Sequence, residues 1–401
     1  MLSWARETAG LSAEEAAGRF SFTRPSKNKT AREKLLDIEN GRKFPTRKQL
    51  LIFAAAYRRS LVVFYLKEPP SESNYGEDFR QTQGDSSQKE KALLKVLLRD
   101  ISIRQQMVKV LLEDENDIPE LTYVGSASTQ QPVQSVASSI ATTIGFDYQN
   151  FGTRKGLSDA DALFEKLRQK AETVGIFVML AGDLGSHHTR ISPEMFRGFT
   201  ICDKISPFVV INDQDAKAAR SFTLIHELAH IWLDQPGVSG QPTTNTPTSL
   251  HSRIERFCND VAGEFLLPDC ALNSYPIEHE KESVSAVVED IADRWLVSES
   301  MTAYRLNRTG KISTTIYRKL ASEYSLRWQQ RQTTIRKQNQ SREGGPNPWT
   351  VKRHRLGNPL VEITHRSLRD NNLTHTKAAK ILGVKPGSVE RFLQYCEEKR
   401  Y

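Results

Sequence analysis

Cysteine is scarce. Four residues in 401 (Cys202, Cys258, Cys270 and Cys396) stand far apart with no Cys-x-x-Cys pair, which excludes a disulfide framework and a zinc ribbon. They read as reduced, mostly buried thiols. Long apolar runs are also missing. Stretches such as Ile176 to Ala181 fall far short of the ~20 residues that span a bilayer, so no membrane partner is expected. Nor does the N-terminus carry a basic-then-apolar export signal, because Arg6, Glu7 and Glu14 interrupt any hydrophobic core. These absences predict a cytoplasmic protein. The composition that remains, 38% hydrophobic and 26% charged, is that of a globular chain long enough for two or three domains.

An excess of acid is lacking too, and the net charge is +8. Its distribution is uneven: Met1–Pro70 carries +7 and Arg305–Tyr401 carries +14, which leaves the middle at −13. Basic ends around an acidic centre predict that the termini meet an anionic partner, nucleic acid first among them, while the centre does other work.

The periodicity predicts a mainly α fold with a small β-sheet (α+β). Residues 1–70 read as a compact helical unit, with Ser12 capping one helix, another from Thr30 to Glu39, and a third opened by Pro45-Thr46. Residues 71–150 read as a helical connector, with a charged helix over 88–115 and a Ser/Thr/Gln-rich connecting stretch of low hydrophobicity at 125–142. A central domain over 151–328 follows. It has a helix from Asp159 to Val174, strands at 175–180, 198–202 and 208–211, and a long helix from Ala216 to Leu233. Helices at 251–267 and 284–307 complete it. A polar linker at 329–348 precedes a basic helical module at 349–401.

The long helix carries His226-Glu227-Leu228-Ala229-His230. Two imidazoles at i and i+4 project from one helix face and can share a Zn2+ ion. Glu227 leans over the same face, placed to take a proton from an attacking water and return it to a leaving amine. Catalytic zinc needs a third protein ligand and an open position. Glu255 on the next helix supplies it, with Glu264 as the rival. Asn259, one turn on from Glu255, or Asp260 beside it, is placed to hold a ligand histidine in its tautomer. His251, Arg220 and Tyr275 are candidates for steadying an oxyanion. The strand Phe208–Ile211 is a candidate edge for binding an extended peptide.

The run from Arg197-Gly198-Phe199 through Pro207 to Asn212, Phe222-Thr223, the His226–His230 box and Glu255-xxx-Asn259 to Leu267-Pro268 resembles the ImmA/IrrE-like metallopeptidases. This resemblance covers about residues 155–310. It implies a gluzincin-type fold, zinc held by His226, His230 and Glu255, and Glu227 as the base. It also implies a cytoplasmic endopeptidase acting on a repressor-like protein substrate.

Trp4-Ala5-Arg6-Glu7, Gly10-Leu11-Ser12, Ile38-Glu39-Asn40-Gly41 and Pro45-Thr46 resemble an Xre-type helix-turn-helix, with residues 18–30 longer and more basic than usual. The resemblance implies DNA binding through residues 1–70, with Arg24, Lys27, Lys29, Thr30 and Arg32 beside phosphate or the major groove. The segment Tyr57–Leu66 with Pro69-Pro70 resembles fusions that act as antitoxins or transcriptional regulators beside a toxin partner. The alternative function is therefore a regulator or antitoxin that uses the zinc fold without proteolysis. A helix-turn-helix rhythm recurs twice more. At Ile291–Leu306 it is expected to be structural; at Ala378–Val384 it can touch nucleic acid or a partner.

Overall fold

Three capping boxes set the N-terminal helices. In this computed structural model, which describes residues 1–20, 29–70, 88–115, 119–239, 250–275, 281–340 and 344–399, helices α1 (Leu2–Thr8), α2 (Ala13–Arg19), α3 (Ala31–Glu39) and α4 (Arg47–Ala56) form a small bundle. Ser12, Thr30 and Thr46 each accept from the backbone three residues on. Glu15, Glu33 and Gln49 reach back to the cap amides at 2.9, 2.7 and 2.8 Å. Each such cap is worth about 1 kcal/mol. Ala5, Leu11, Ala16, Phe20, Leu35, Ile38, Phe53 and Tyr57 make the core, with Phe20 edge-on to Phe53 at 4.6 Å. Arg6 clamps Glu39 through two bonds of 2.8 and 3.1 Å, tying α1 to the end of α3. That hydrogen bonding to Glu39 raises the Arg6 pKa above its usual value. Helix α5 (Gln88–Glu113) contributes its residues up to Ile101 to this unit, together with residues 183–195.

The second unit takes residues 102–182 and 196–401. It is built from α6 (Val133–Ile144), α7 (Ala160–Thr173), β1 (Phe177–Leu180), β2 (Gly198–Ile201), β3 (Phe208–Ile211), α8 (Lys217–Leu233), β4 (Val238–Ser239) and α9 (Leu250–Leu266). After these come α10 (Asp269–Leu272), α11 (Lys281–Trp295), α12 (Glu299–Arg308) and α13 (Thr314–Gln340). Last are α14 (Pro348–Leu356), α15 (Asn358–Arg369), α16 (His375–Leu382) and α17 (Val389–Glu398). The protein is thus mainly helical with one small sheet. Among the described residues no helix is long and apolar enough to cross a membrane.

The strands run in the order β1-β3-β2-β4, with β1 parallel to β3 and the other pairs antiparallel. All four residues of β1, β2 and β3 are buried, as expected of strands covered on both faces. Helix α8 packs against β2 and β3 on one side and against α6, α7 and α9 on the other, and Ala219 to Leu233 are buried throughout.

Three expectations are corrected and one is refined. The Ser/Thr-rich stretch at 125–142 is in large part helix α6. Val136, Ala137, Ile140, Ala141 and Ile144 bury one face of it in the core, and small residues let it lie close. The polar stretch after Gln329 continues α13 as far as Gln340. Within the helical stretch 284–307 the turn expected from the rhythm at Ile291–Leu306 is present, with Leu296 in the left-handed region (φ 56°) and Ser298 capping α12 through Met301 N. Finally, β3 is an interior strand between β1 and β2, so its backbone is already paired on both sides and cannot receive a peptide.

The described part of the basic module, 349–399, packs on the sheet through α14 against β1. Arg355 pairs with Asp213 at 2.6 Å, His354 with Glu165 at 2.8 Å, and Arg366 with Glu115 at 2.7 Å. At the α14–α15 junction Gly357 has φ 82° and ψ 157°, a region closed to side chains. A Cβ there would also meet the Val178 carbonyl at 2.8 Å and Glu172 Oε1 at 2.6 Å. Arg168 donates to the same Val178 carbonyl at 2.8 Å, so the outer edge of β1 is covered. Gly357→Ala is expected to cost about 1–3 kcal/mol in urea denaturation; an unchanged midpoint would show that this seat does not hold the module.

Candidate metal centre

Helix α8 owes its place to Leu224, Ile225, Leu228, Ile231 and Trp232, each fully buried. Wedging these apolar side chains between sheet and helices leaves His226, Glu227 and His230 as polar groups in an apolar layer. Burying them without compensation is costly, so their arrangement needs a chemical reason. His226 Nε2 and His230 Nε2 face each other at 3.1 Å. Glu255, from α9, brings its carboxylate to 3.5 Å from the first and 3.1 Å from the second. The three ligand atoms lie within 4.8 Å of one another, forming a set that fits a metal ion.

The donor chemistry supports that fit. Two imidazole nitrogens and one carboxylate oxygen are a catalytic zinc set, leaving a fourth tetrahedral position for a reactant. His230 Nδ1 lies 2.9 Å from the Gln235 carbonyl, which accepts its proton and leaves the Nε2 lone pair for a cation. Burial would raise the Glu255 carboxyl, yet hydrogen bonds from His226 and His230 hold it far below the usual carboxylate range. Burial likewise opposes charge on His230, but its contacts with Cys258 and then Glu255 push it well above its usual value. The two shifts are reciprocal, each group favouring the charged form of the other across their contact.

Glu227 is fully buried on the same helix. Thr200 Oγ1, on β2, donates to its Oε2 at 2.6 Å. Gly198, two residues earlier and so on the same strand face, makes room for it: a Cβ there would stand 2.8 Å from Glu227 Oε1 and 2.6 Å from Thr223 Cγ2. Sequence reasoning missed Thr200 and Gly198 as supports of the base. The signal was available, since an isolated glycine within a strand pattern often marks the close approach of another group.

The other expected residues fall in different places. Glu264, the rival ligand, is engaged by Arg305 and by the Asp269 amide at 3.3 Å, away from the triad. Asp260 pairs with Arg308 at 2.7 Å and accepts from the Tyr304 hydroxyl at 3.0 Å, while the Gln235 carbonyl is the partner of a ligand histidine. Asn259 lies buried one turn on from Glu255. Arg220 is held by Asp161 at 3.5 Å and by the Asp213 carbonyl at 3.0 Å. Two thiols flank the site. Cys258 is fully buried, and Cys202 Sγ lies 3.6 Å from the His230 carbonyl, its pKa pushed up to about 12 by burial.

Among the expected DNA-contacting residues, Arg24 and Lys27 lie outside the described residues. Thr30 caps α3. Lys29 pairs with Asp37 at 2.5 Å and Arg32 pairs with Glu14, both at the surface.

No curated protein and no solved structure matches the chain. Residues 171–307, from the end of α7 to α12, match the family model of the IrrE N-terminal-like domain, a peptidase family, and the His226–His230–Glu255 set lies within that match.

Proposed function

We propose that the chain is a zinc-dependent endopeptidase. His226, His230 and Glu255 hold the metal and Glu227 is the base. The observation that carries this reading is the buried Glu227 carboxylate, fixed by Thr200 one residue from a ligand histidine. A scaffold that only binds metal has no use for a carboxylate so placed. Zinc bound there supplies Lewis acidity and makes a water acidic enough to attack near neutral pH. Glu227 then accepts the proton of the attacking water and delivers it to the leaving amine. Thr200 orients the carboxylate, and the Gln235 carbonyl keeps His230 in its ligating tautomer. The test is cleavage of an unstructured peptide library by the full chain, read by mass spectrometry. Cleavage should vanish with a chelator and return with zinc; no zinc-dependent product would sink the reading.

The support for the base gives a sharper expectation. Gly198→Ala should lower kcat by about 10²-fold, since misplacing a reacting group by about 1 Å costs that much. Zinc content should stay at the parent level, and an unchanged kcat would remove Gly198 from the site.

The N-terminal unit is proposed to bind DNA, bringing the peptidase to a repressor-like substrate; the capped start of α3 at Thr30 and the basic residues around it support this. The ion pairs of Lys29 and Arg32 are exposed and worth little, so phosphates can displace Asp37 and Glu14. Lys29→Glu with Arg32→Glu should reduce the log–log salt slope of DNA binding by about 1.8, at roughly 0.9 per phosphate contact. A slope unaffected by the pair would place DNA contact elsewhere.

A further inference from the structure

One motif of the sequence has no part in peptidase chemistry: Ala378–Val384, within the C-terminal module. There α16 starts from Thr374, whose Oγ1 accepts from Lys377 N, and ends at Gly383 in a left-handed conformation. A short 3₁₀ turn at Pro386–Ser388 leads directly into α17. The inner faces are apolar and closed. Ala378, Ala379, Ile381 and Leu382 of α16 are buried, as are Val389, Phe392, Leu393 and Cys396 of α17. Helices α14 and α15 support the pair from behind, with Trp349 edge-on to Phe392 at 6.4 Å and to Tyr395 at 5.5 Å. Two short helices joined through residues 383–388 and backed by further helices have the element order of a helix-turn-helix.

The outer faces have the opposite character. Lys377 and Lys380 on α16, Lys385 in the turn, and Arg391 and Gln394 on α17 are all exposed. None of these four cations has an acidic partner among the described residues. The acids nearby are engaged otherwise: Glu390 accepts from His375 at 3.1 Å and Glu397 pairs with His365 at 3.3 Å. Residues 349–401 hold eleven Lys/Arg against five Asp/Glu. The ion pairs that seat the module on its own unit come from α14 and α15, through Arg355, His354 and Arg366. Docking therefore leaves the outer face of α16 and α17 free of those contacts.

We infer that α16, its turn and α17 form a DNA-binding surface, with α17 in the major groove of a duplex. Lys377, Lys380 and Lys385, all exposed, supply the cations for phosphate contact. Arg391 and Gln394, one turn apart on α17, carry the side chains that read guanine and adenine edges by paired hydrogen bonds. Duplex DNA is favoured over single strands because, among the described residues, this face has no fully exposed aromatic ring for unpaired bases to stack on: Tyr395 is half-buried against Trp349.

The surface is distinct from the N-terminal one, and the test keeps them apart. Four full-length proteins are compared on a labelled random-sequence duplex by anisotropy at several salt concentrations. They are the parent, Lys29→Glu with Arg32→Glu, Lys377→Glu with Lys380→Glu, and all four substitutions together. The C-terminal pair should lower the log–log salt slope by about 1.8 in both backgrounds, at roughly 0.9 per contact. Zinc content should not change. Lys377→Arg with Lys380→Arg should bind as the parent does. An unchanged slope and affinity for the Lys377→Glu, Lys380→Glu protein in both backgrounds overturns the proposal and leaves the N-terminal and peptidase readings standing. Loss of binding in the arginine variant assigns the effect to packing and overturns it as well. A parent that binds no duplex makes the face a protein-docking surface, which also ends the proposal.

Discussion

Glu227→Gln is expected to lose peptidase activity by about 10²–10⁴-fold while keeping metal and fold. The amide is nearly isosteric, and Thr200 Oγ1 can still donate to its carbonyl oxygen in place of the bond to Glu227 Oε2. What it cannot do is accept a proton from the attacking water. Because Glu227 is fully buried, no base from solvent can take its place at that position. The measurement is kcat on a mapped cleavage site beside zinc content by elemental analysis. Full turnover by this variant would move the base elsewhere; loss of zinc would show that Glu227 is instead part of the ligand set.

The second large effect is on the metal itself. His226→Ala removes one of three ligands, and the zinc that co-purifies with the parent should fall from one equivalent to a small fraction. Stability should follow, because a metal bound only by the folded state adds RT ln(1 + [L]/Kd), about 4 kcal/mol at a thousandfold excess over Kd. A chelator should therefore lower the melting temperature of the parent and leave that of His226→Ala nearly unmoved. One full equivalent of zinc in His226→Ala would dismiss the assignment. Metal uptake should also weaken as pH falls, since protons compete for the same histidines and carboxylate.

The parts of the site lying on one element were the most legible in the sequence. His226, Glu227 and His230 share a helix, and the 3.6-residue repeat alone puts both imidazoles on one face. Glu255 was reachable because its helix follows after one loop. Thr200 and Gly198 were harder, since their role depends on β2 lying against α8, and strand order is not written in chain order. The same gap made Phe208–Ile211 look available, whereas the parallel pairing of β1 with β3 puts it inside the sheet. Helix α6 escaped notice because its Ser and Thr residues dilute an apolar stripe formed by Val136, Ile140 and Ile144. The seat of the C-terminal module rests on pairs such as Arg355–Asp213 and Arg366–Glu115, formed between residues more than a hundred positions apart. No local pattern signals them.

The pairing of β4 with β2 bears on what a peptide must do to reach the base. Gly198 and Phe199 are matched by Ser239 and Val238, and the Thr200 amide donates to the Gly237 carbonyl at 3.3 Å. The strand that carries Thr200 is thus already paired along its outer side by the protein's own chain. A tethered segment of this kind acts as a competitor at an effective concentration in the millimolar range. Among the described residues its ladder is two residues long, and each backbone hydrogen bond contributes about 1 kcal/mol net. An incoming chain would have to form a longer ladder to displace it; one offering only two or three extended residues would not. For a peptidase of the kind proposed, such an edge would act as a length filter, discriminating by how many consecutive residues of a substrate can be drawn out straight before it discriminates by side chain.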